Sequence, residues 1–150
     1  MKERIDDLDI ELLKVLQRDA RRSYKEIGTE LGVSIGTIHN RITKLKNVGI
    51  LNGFGVNINN EKLGFKLCFI IMIQIDGKHT QEVLESIKDR EEVLACFHIT
   101  GEQSAALICR FRELEDVQNF IRDLNKEKYV IRTVSNMVLK EYKNSSNVLL

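Results

Sequence analysis

Between Glu30 and Glu61 this chain of 150 residues carries no acidic side chain, yet Thr37, His39, Asn40, Arg41, Lys44 and Lys46 stand close together inside that gap. A hydroxyl, an imidazole, an amide and three cations make a hydrogen-bonding, positively charged surface. Its chemistry is recognition of phosphates and base edges rather than bond-making. A neutral stretch with three cations also arises by chance, so charge leaves an ordinary solvated face equally open. A second set, His98, Arg110 and Arg112, holds a titratable ring and two anchors for substrate carboxylates. A lone histidine on a strand is more often a packed or interfacial residue, and no nucleophile, base and orienting group can be assembled from the order of residues.

The wider numbers restrain these readings. Net charge is +1 and the pI about 7.7, below the value of about 9 typical of a frankly basic nucleic-acid-binding domain. Apolar residues make up 43% and charged residues 30%, which suits a folded chain and excludes a disordered one. Cys68, Cys96 and Cys109 are odd in number and set in apolar runs, so they read as buried thiols rather than disulfides or zinc ligands. No apolar run reaches the roughly 18 residues of a membrane span, and no leader-like segment opens the chain, so a cytoplasmic protein is expected. Gly53-Phe54-Gly55 starts like a dinucleotide fingerprint but lacks the third glycine and a following helix, so no cofactor is expected.

The elements that must position the basic segment follow from periodicity and caps. Leu8, Leu12, Leu13 and Leu16 recur at helical spacing behind Asp6 and Asp7, predicting a helix over Leu8 to Asp19. Ser23 with Glu26 three residues on is a capping box, followed by Ile27 and Leu31 on one face, and Gly32 stops that helix. Ser34 caps a third helix reaching Val48. Helix, tight glycine turn and helix is a helix-turn-helix. On the third helix Ile38, Ile42 and Leu45 form the buried stripe, while Gly36, Asn40, Thr43 and Asn47 point away, flanked by Thr37 and Lys44 on one side and His39 and Lys46 on the other. Arg41 projects nearer the stripe, so an ion pair to another helix weighs equally with a phosphate contact. Gly49 to Val56 suggests a short strand or wing.

The second half alternates differently. Leu67 to Ile75 is almost continuously apolar, a strand buried on both faces. A helix with Val83, Leu84 and Ile87 follows. Val93, Ala95, Phe97 and Ile99 then alternate on one face of a strand, with His98 on the other, and Ala105 to Phe111 makes a third strand. A helix bearing Leu114, Val117, Ile121 and Leu124 precedes a last strand from Val130 to Tyr142. The order βαββαβ is a ferredoxin-like α+β arrangement with helices on one face. The other face needs a cover, and a second copy is the simplest one.

The N-terminal residues Asp6, Leu8-Asp9, Leu12-Leu13, Asp19-Ala20-Arg21, Glu26-Ile27, Leu31-Gly32-Val33-Ser34, Thr37-Ile38, Arg41-Ile42, Lys44-Leu45 and Gly49-Ile50, with Leu63-Gly64 further on, resemble the leucine-responsive and asparagine-operon (Lrp/AsnC) regulators. That resemblance implies a winged helix-turn-helix at residues 1–55, a linker at 56–66, a ferredoxin-like dimerisation and effector domain at 67–142 and a tail at 143–150. It implies a transcriptional regulator that binds pseudo-palindromic double-stranded DNA as a homodimer, tetramer or octamer. Base and phosphate contacts are expected from Ser23, Ser34, Gly36, Thr37, His39, Asn40, Arg41, Lys44 and Lys46. An amino-acid effector is expected at the turn Thr100-Gly101-Glu102-Gln103-Ser104.

That turn departs from the family pattern of glycine, acidic residue, aromatic, aspartate: Gln103 replaces the aromatic and Ser104 the aspartate, leaving Glu102 to meet an ammonium group. Two alternatives remain beside the regulator. One is an enzyme on the same scaffold, resembling the sirohaem decarboxylases. The other is a metabolite sensor without DNA binding, against which the acid-free third helix argues.

Overall fold

Three side-chain caps start the helices of the N-terminal half. In the computed structural model, which describes residues 5–145 and 147–150, α1 (Asp7–Arg18) opens at Asp6. The Asp6 carboxylate accepts from the Asp9 N–H, and the Asp9 carboxylate accepts in return from the Asp6 N–H. Ser23 and Glu26 form the same reciprocal box at the head of α2 (Tyr24–Leu31), and Ser34 accepts from the Thr37 N–H at 3.1 Å to start α3 (Ile35–Asn47). Such caps contribute about 1 kcal/mol each. Leu12, Val15 and Leu16 of α1, Ile27 of α2, and Ile38, Ile42 and Leu45 of α3 bury one another, so the stripe expected on the third helix is the one that packs.

The turn between α2 and α3 depends on two glycines. Gly32 takes a left-handed φ of 67°, which favours a residue without Cβ. Gly28 lies where a Cβ would stand 2.7 Å from the Val33 carbonyl oxygen, while the Val33 N–H donates to the Gly28 carbonyl at 2.9 Å. The two backbones touch there. Gly28→Ala should therefore lower stability by about 1 to 2 kcal/mol, because overpacking outweighs the gain of about 1 kcal/mol in helix propensity. Thermal melting checks this, and a variant melting above the wild type would contradict it.

Downstream of α3 the segment Gly49 to Val56 forms no strand, contrary to the sequence expectation. Ile50 and Leu51 instead donate their N–H groups to the Leu45 carbonyl, closing the helix, and Leu51 packs on the helical core. The chain divides into two units, one holding the chain up to Asn57 together with Asn144–Leu150, the other Ile58–Lys143. The Gln17 amide clasps that tail, donating to the Val148 carbonyl at 2.7 Å and accepting from the Leu150 N–H at 3.3 Å.

The second unit contains β1 (Leu67–Ile75), α4 (Thr80–Ile87), β2 (Val93–His98), β3 (Ala105–Phe111), α5 (Leu114–Leu124) and β4 (Val130–Met137), the expected βαββαβ order. The sheet is antiparallel with strand order β2-β3-β1-β4. Phe69, Ile71, Ile73 and Ile75 of β1 and Ala105, Leu107, Cys109 and Phe111 of β3 pack beneath Val83 and Ile87 of α4 and Val117, Phe120 and Leu124 of α5. Of residues 56–66, expected as linker, those from Ile58 on begin this unit, with a closed turn in which the Phe65 N–H donates to the Asn60 carbonyl and the Lys62 N–H to the Asn59 side chain.

Three further expectations are corrected. The last strand ends at Met137 rather than Tyr142: Val138 still donates to the Cys68 carbonyl, but beyond it Glu141 turns to pair with Arg110. A register shift between Val93 and Ala95 reverses the faces of β2, so Val93 and Cys96 pack on the helical core, while Ala95 and Phe97 join the opposite face beside Ile108 and Ala106. Finally, β1 is buried on one face only within this chain. Its other face shows Ile70 at 40% exposure, with Phe97 of β2 at 51% on the same surface.

Candidate nucleic-acid interface

On α3 the polar face is open. Gly36, His39, Asn40, Thr43, Lys46 and Asn47 are exposed, and Thr37 is half-buried with its hydroxyl 2.9 Å from that of Ser34. The His39 ring lies 6.2 Å from that of Tyr24, the first residue of α2, and its Nδ1 stands 3.5 Å from the Asn40 Oδ1. Asn40 is exposed, and its amide, with one donor and one acceptor side by side, can form two parallel hydrogen bonds. Lys46 lies 5.3 Å from the centre of the Phe54 ring, a cation–π contact that steadies its ammonium at the edge of the face. Ser23 is committed to its cap, its hydroxyl donating to Glu26 at 2.7 Å.

Arg41 and Lys44 have another role. Both reach Asp9, whose side chain is fully buried: Arg41 Nη1 donates to Oδ1 at 3.0 Å and Lys44 Nζ to Oδ2 at 2.7 Å. Arg41 also pairs with Asp6. The ion pair weighed for Arg41 is present, and Lys44, read from the sequence as a phosphate holder, joins it. Burial acts to raise the Asp9 pKa, but the Lys44 ammonium and the Arg41 guanidinium outweigh it and hold the carboxyl below its ordinary value. The Arg41 hydrogen bond, helped by the Asp9 N–H, brings Asp6 down to about 2. Asp6, Asp9, Arg41 and Lys44 thus form a four-charge clamp that fixes α3 on α1. Lys46 carries the positive charge on the outer side of α3.

Sequence reading missed Asp9, Tyr24 and Phe54. A signal for Asp9 existed. It stands three residues before Leu12, at the head of the buried stripe of α1, and an acid placed there needs cations brought in from elsewhere in the fold.

In the second unit the turn Thr100–Ser104 lies between β2 and β3. The Ser104 hydroxyl accepts from the Ile75 N–H at 3.1 Å and lies 3.2 Å from the Ile75 carbonyl, while the Ser104 N–H donates to Ile73 at 2.8 Å. Ser104 thus ties the end of β1 to the turn. The Gln103 Oε1 is buried without a hydrogen-bond partner, and Thr100, Gly101 and Glu102 are exposed. His98 pairs across from Ala105 at one end of β3, whereas Arg110 and Arg112 lie at the other, about 20 Å away at about 3.3 Å per residue. The catalytic grouping considered from sequence is not assembled. Burial raises the pKa of all three thiols, Cys109 to about 12, so they are poor nucleophiles, and among the described residues no acidic, histidine or cysteine cluster is arranged to hold a metal. No helix among them is long and apolar enough to cross a membrane.

Residues 5–46 match the AsnC-type helix-turn-helix domain, and residues 68–148 match the Lrp/AsnC ligand binding domain. An uncharacterized HTH-type transcriptional regulator of Pyrococcus furiosus is 39% identical over 136 residues, covering 91% of this chain and 92% of its own. The structure is similar to that of AsnC from E. coli, with TM-score 0.89 and 26% identity over 96% of this chain and 98% of that one. It is also similar to a Neisseria meningitidis transcriptional regulator solved in complex with L-Met, with TM-score 0.88 and 27% identity over 97% and 96% of the two chains.

Proposed function

The chain belongs to the Lrp/AsnC family of DNA-binding transcriptional regulators, and from that premise we propose that α3 enters the major groove with Asn40 as its main base reader. The observation that carries this reading is the division of charge on α3. Arg41 and Lys44 are bound inward to Asp9, whereas Asn40, His39 and Lys46 remain outward on a face without a carboxylate. An amide on such a face can pair with adenine through two bonds on its major-groove edge, accepting from N6 and donating to N7. The amino ends of α2 and α3, capped by Ser23 and Ser34, meet phosphates together with Lys46, while Thr37 and the small Gly36 let the helix approach closely.

The operator-binding form is a homodimer closed through the open face of the sheet. Ile70, Met72, Phe97, Ile108 and Val134 leave that face apolar in the single chain, and a two-fold axis lets the same patch cover itself. Two copies of α3 then meet successive major grooves about 34 Å apart on a pseudo-palindromic site. Tetramers or octamers are assemblies of such dimers, and the protein acts in the cytoplasm. Because the N. meningitidis relative was solved with L-Met, the effector class proposed is a small amino acid, acting on the second unit.

The test is a pair of variants measured on one selected operator. Asn40→Ala should relax preference at a defined base position by about 1 to 3 kcal/mol. Lys46→Ala should weaken all sequences alike and make the salt dependence shallower by about one unit. An Asn40→Ala protein with unchanged base preference would remove that residue from the readout.

A further inference from the structure

The first residue of α3 is an aliphatic side chain that the helical core does not use. Ile35 is 53% exposed, whereas Val33 two residues earlier and Ile38 three residues later both pack on that core. A lone exposed aliphatic residue is ordinary on a protein surface. What sets this one apart is its place. The amino-terminal residues of a recognition helix are those that reach base edges. A β-branched residue there gains nothing in helix propensity. Nor does it cap the helix, because Ser34 already accepts from the Thr37 N–H.

The surroundings favour nucleic acid as the cover. At 100° per residue Ile35, His39 and Lys46 fall within about 40° of one another along one edge of α3, and all three are exposed. Lys46 stands at the far end of that edge, its Nζ 5.3 Å from the centre of the Phe54 ring. No carboxylate stands on α3. The edge thus has an apolar head and a cationic tail, about 16 Å apart along the axis. A duplex matches that order, with apolar groups on its groove floor and charge on its phosphates. Gly36 leaves room for the approach, since a Cβ built there would have the Ser34 Oγ as its nearest neighbour, at 3.7 Å.

The apolar group that a major groove displays is the C5-methyl of thymine. We propose that Ile35 reads a thymine by packing on that methyl, as a second specificity residue beside Asn40. The proposal rests on the entry of α3 into the major groove. Five residues separate Ile35 from Asn40, about 7.5 Å along the helix, so the thymine lies within about three base pairs of the adenine paired with Asn40.

Deoxyuridine is the probe, because it differs from thymidine by the methyl alone and keeps the base-pairing hydrogen bonds. On the operator recovered from a random pool, each thymine is replaced in turn by uracil in both half-sites. Duplex affinity is then measured for the full-length wild type, Ile35→Ala and Asn40→Ala. Replacement at one position should cost the wild type about fourfold per half-site, and about tenfold or more for the pair, as one buried methyl is lost from each. Ile35→Ala should bind the thymine operator correspondingly more weakly and be indifferent to uracil at that position. Its melting temperature should match the wild type, since the side chain lies outside the core. The proposal is overturned by a wild type to which every uracil is neutral, by a position equally sensitive in Ile35→Ala, or by an altered oligomer mass in that variant, which would place Ile35 between copies. In each of these cases a motif that still depends on Asn40 leaves the groove reading standing. A pool without any motif overturns both.

Discussion

Asp9→Ala should destabilise the helical unit by about 2 to 3 kcal/mol. Removing one member of a buried ion pair costs about 3 to 5 kcal/mol when the abandoned charge stays buried. Here Arg41 and Lys44 keep about a quarter of their side-chain surface in water, at 25% and 24%, and can turn outward, which softens the loss. Part of the α1 capping box goes with it. The variant also has a second signature, since two cations released on α3 should raise affinity for arbitrary duplex and steepen its salt dependence. The linked pH effect has a definite sign. Asp6 and Asp9 have depressed folded-state pKa values, so their stabilisation is present above the ordinary carboxylate value of 3.8 and is lost as pH falls towards the Asp6 value of about 2. Acid melts of the wild type should lose stability through that window, and Asp9→Ala should lose less. An acid profile identical in the two proteins would remove Asp9 from the clamp.

Ile70→Asp should convert the protein to a monomer and with it abolish tight operator binding. Ile70 lies on the open face of β1, opposite Ile108 of β3 and Asn136 of β4, and stands outside the helix-covered core, so a carboxylate there is solvated while the chain is alone. Dimerisation through that face buries two such charges at once, because the contact repeats about a two-fold axis. A few kcal/mol of desolvation for each raises the dimer dissociation constant by about a thousandfold or more. Sedimentation gives the mass, and circular dichroism shows whether the monomer is folded. Ile71→Asp, one residue along at a fully buried position, should instead unfold the second unit. A dimer of unchanged stability in Ile70→Asp would place the interface elsewhere.

The parts of the fold legible in the residues were those governed by local rules. Ser23 with Glu26, and Ser34 before Ile38, Ile42 and Leu45, place two helices and their buried sides through capping and a 3.6-residue period alone. The bounds of β1, β3 and α5 follow in the same way from apolar runs between turns. What escaped was non-local. Arg41 and Lys44 meet an aspartate more than thirty residues earlier, and periodicity on α3 cannot distinguish that pairing from a phosphate contact. A single register shift between Val93 and Ala95 moved Phe97 to the open face against a perfect alternation in the sequence. Leu63-Gly64 fell inside the expected linker at 56–66, and nothing local shows that Arg112, nearly fifty residues on, donates to the Leu63 carbonyl and lies where a Cβ on Gly64 would stand. The catalytic candidates fared likewise, since only the antiparallel register shows that His98 and Arg110 stand at opposite ends of β3.

Recovery of bound duplex from a random pool by the full-length protein, repeated with Asn40→Ala, bears most directly on recognition through α3. Enrichment of a pseudo-palindrome with half-sites one helical turn apart is expected, with one position in each half-site losing its preference in the variant. A pool that yields no motif, or the same motif from both proteins, would contradict base reading by Asn40 on the outward face of α3.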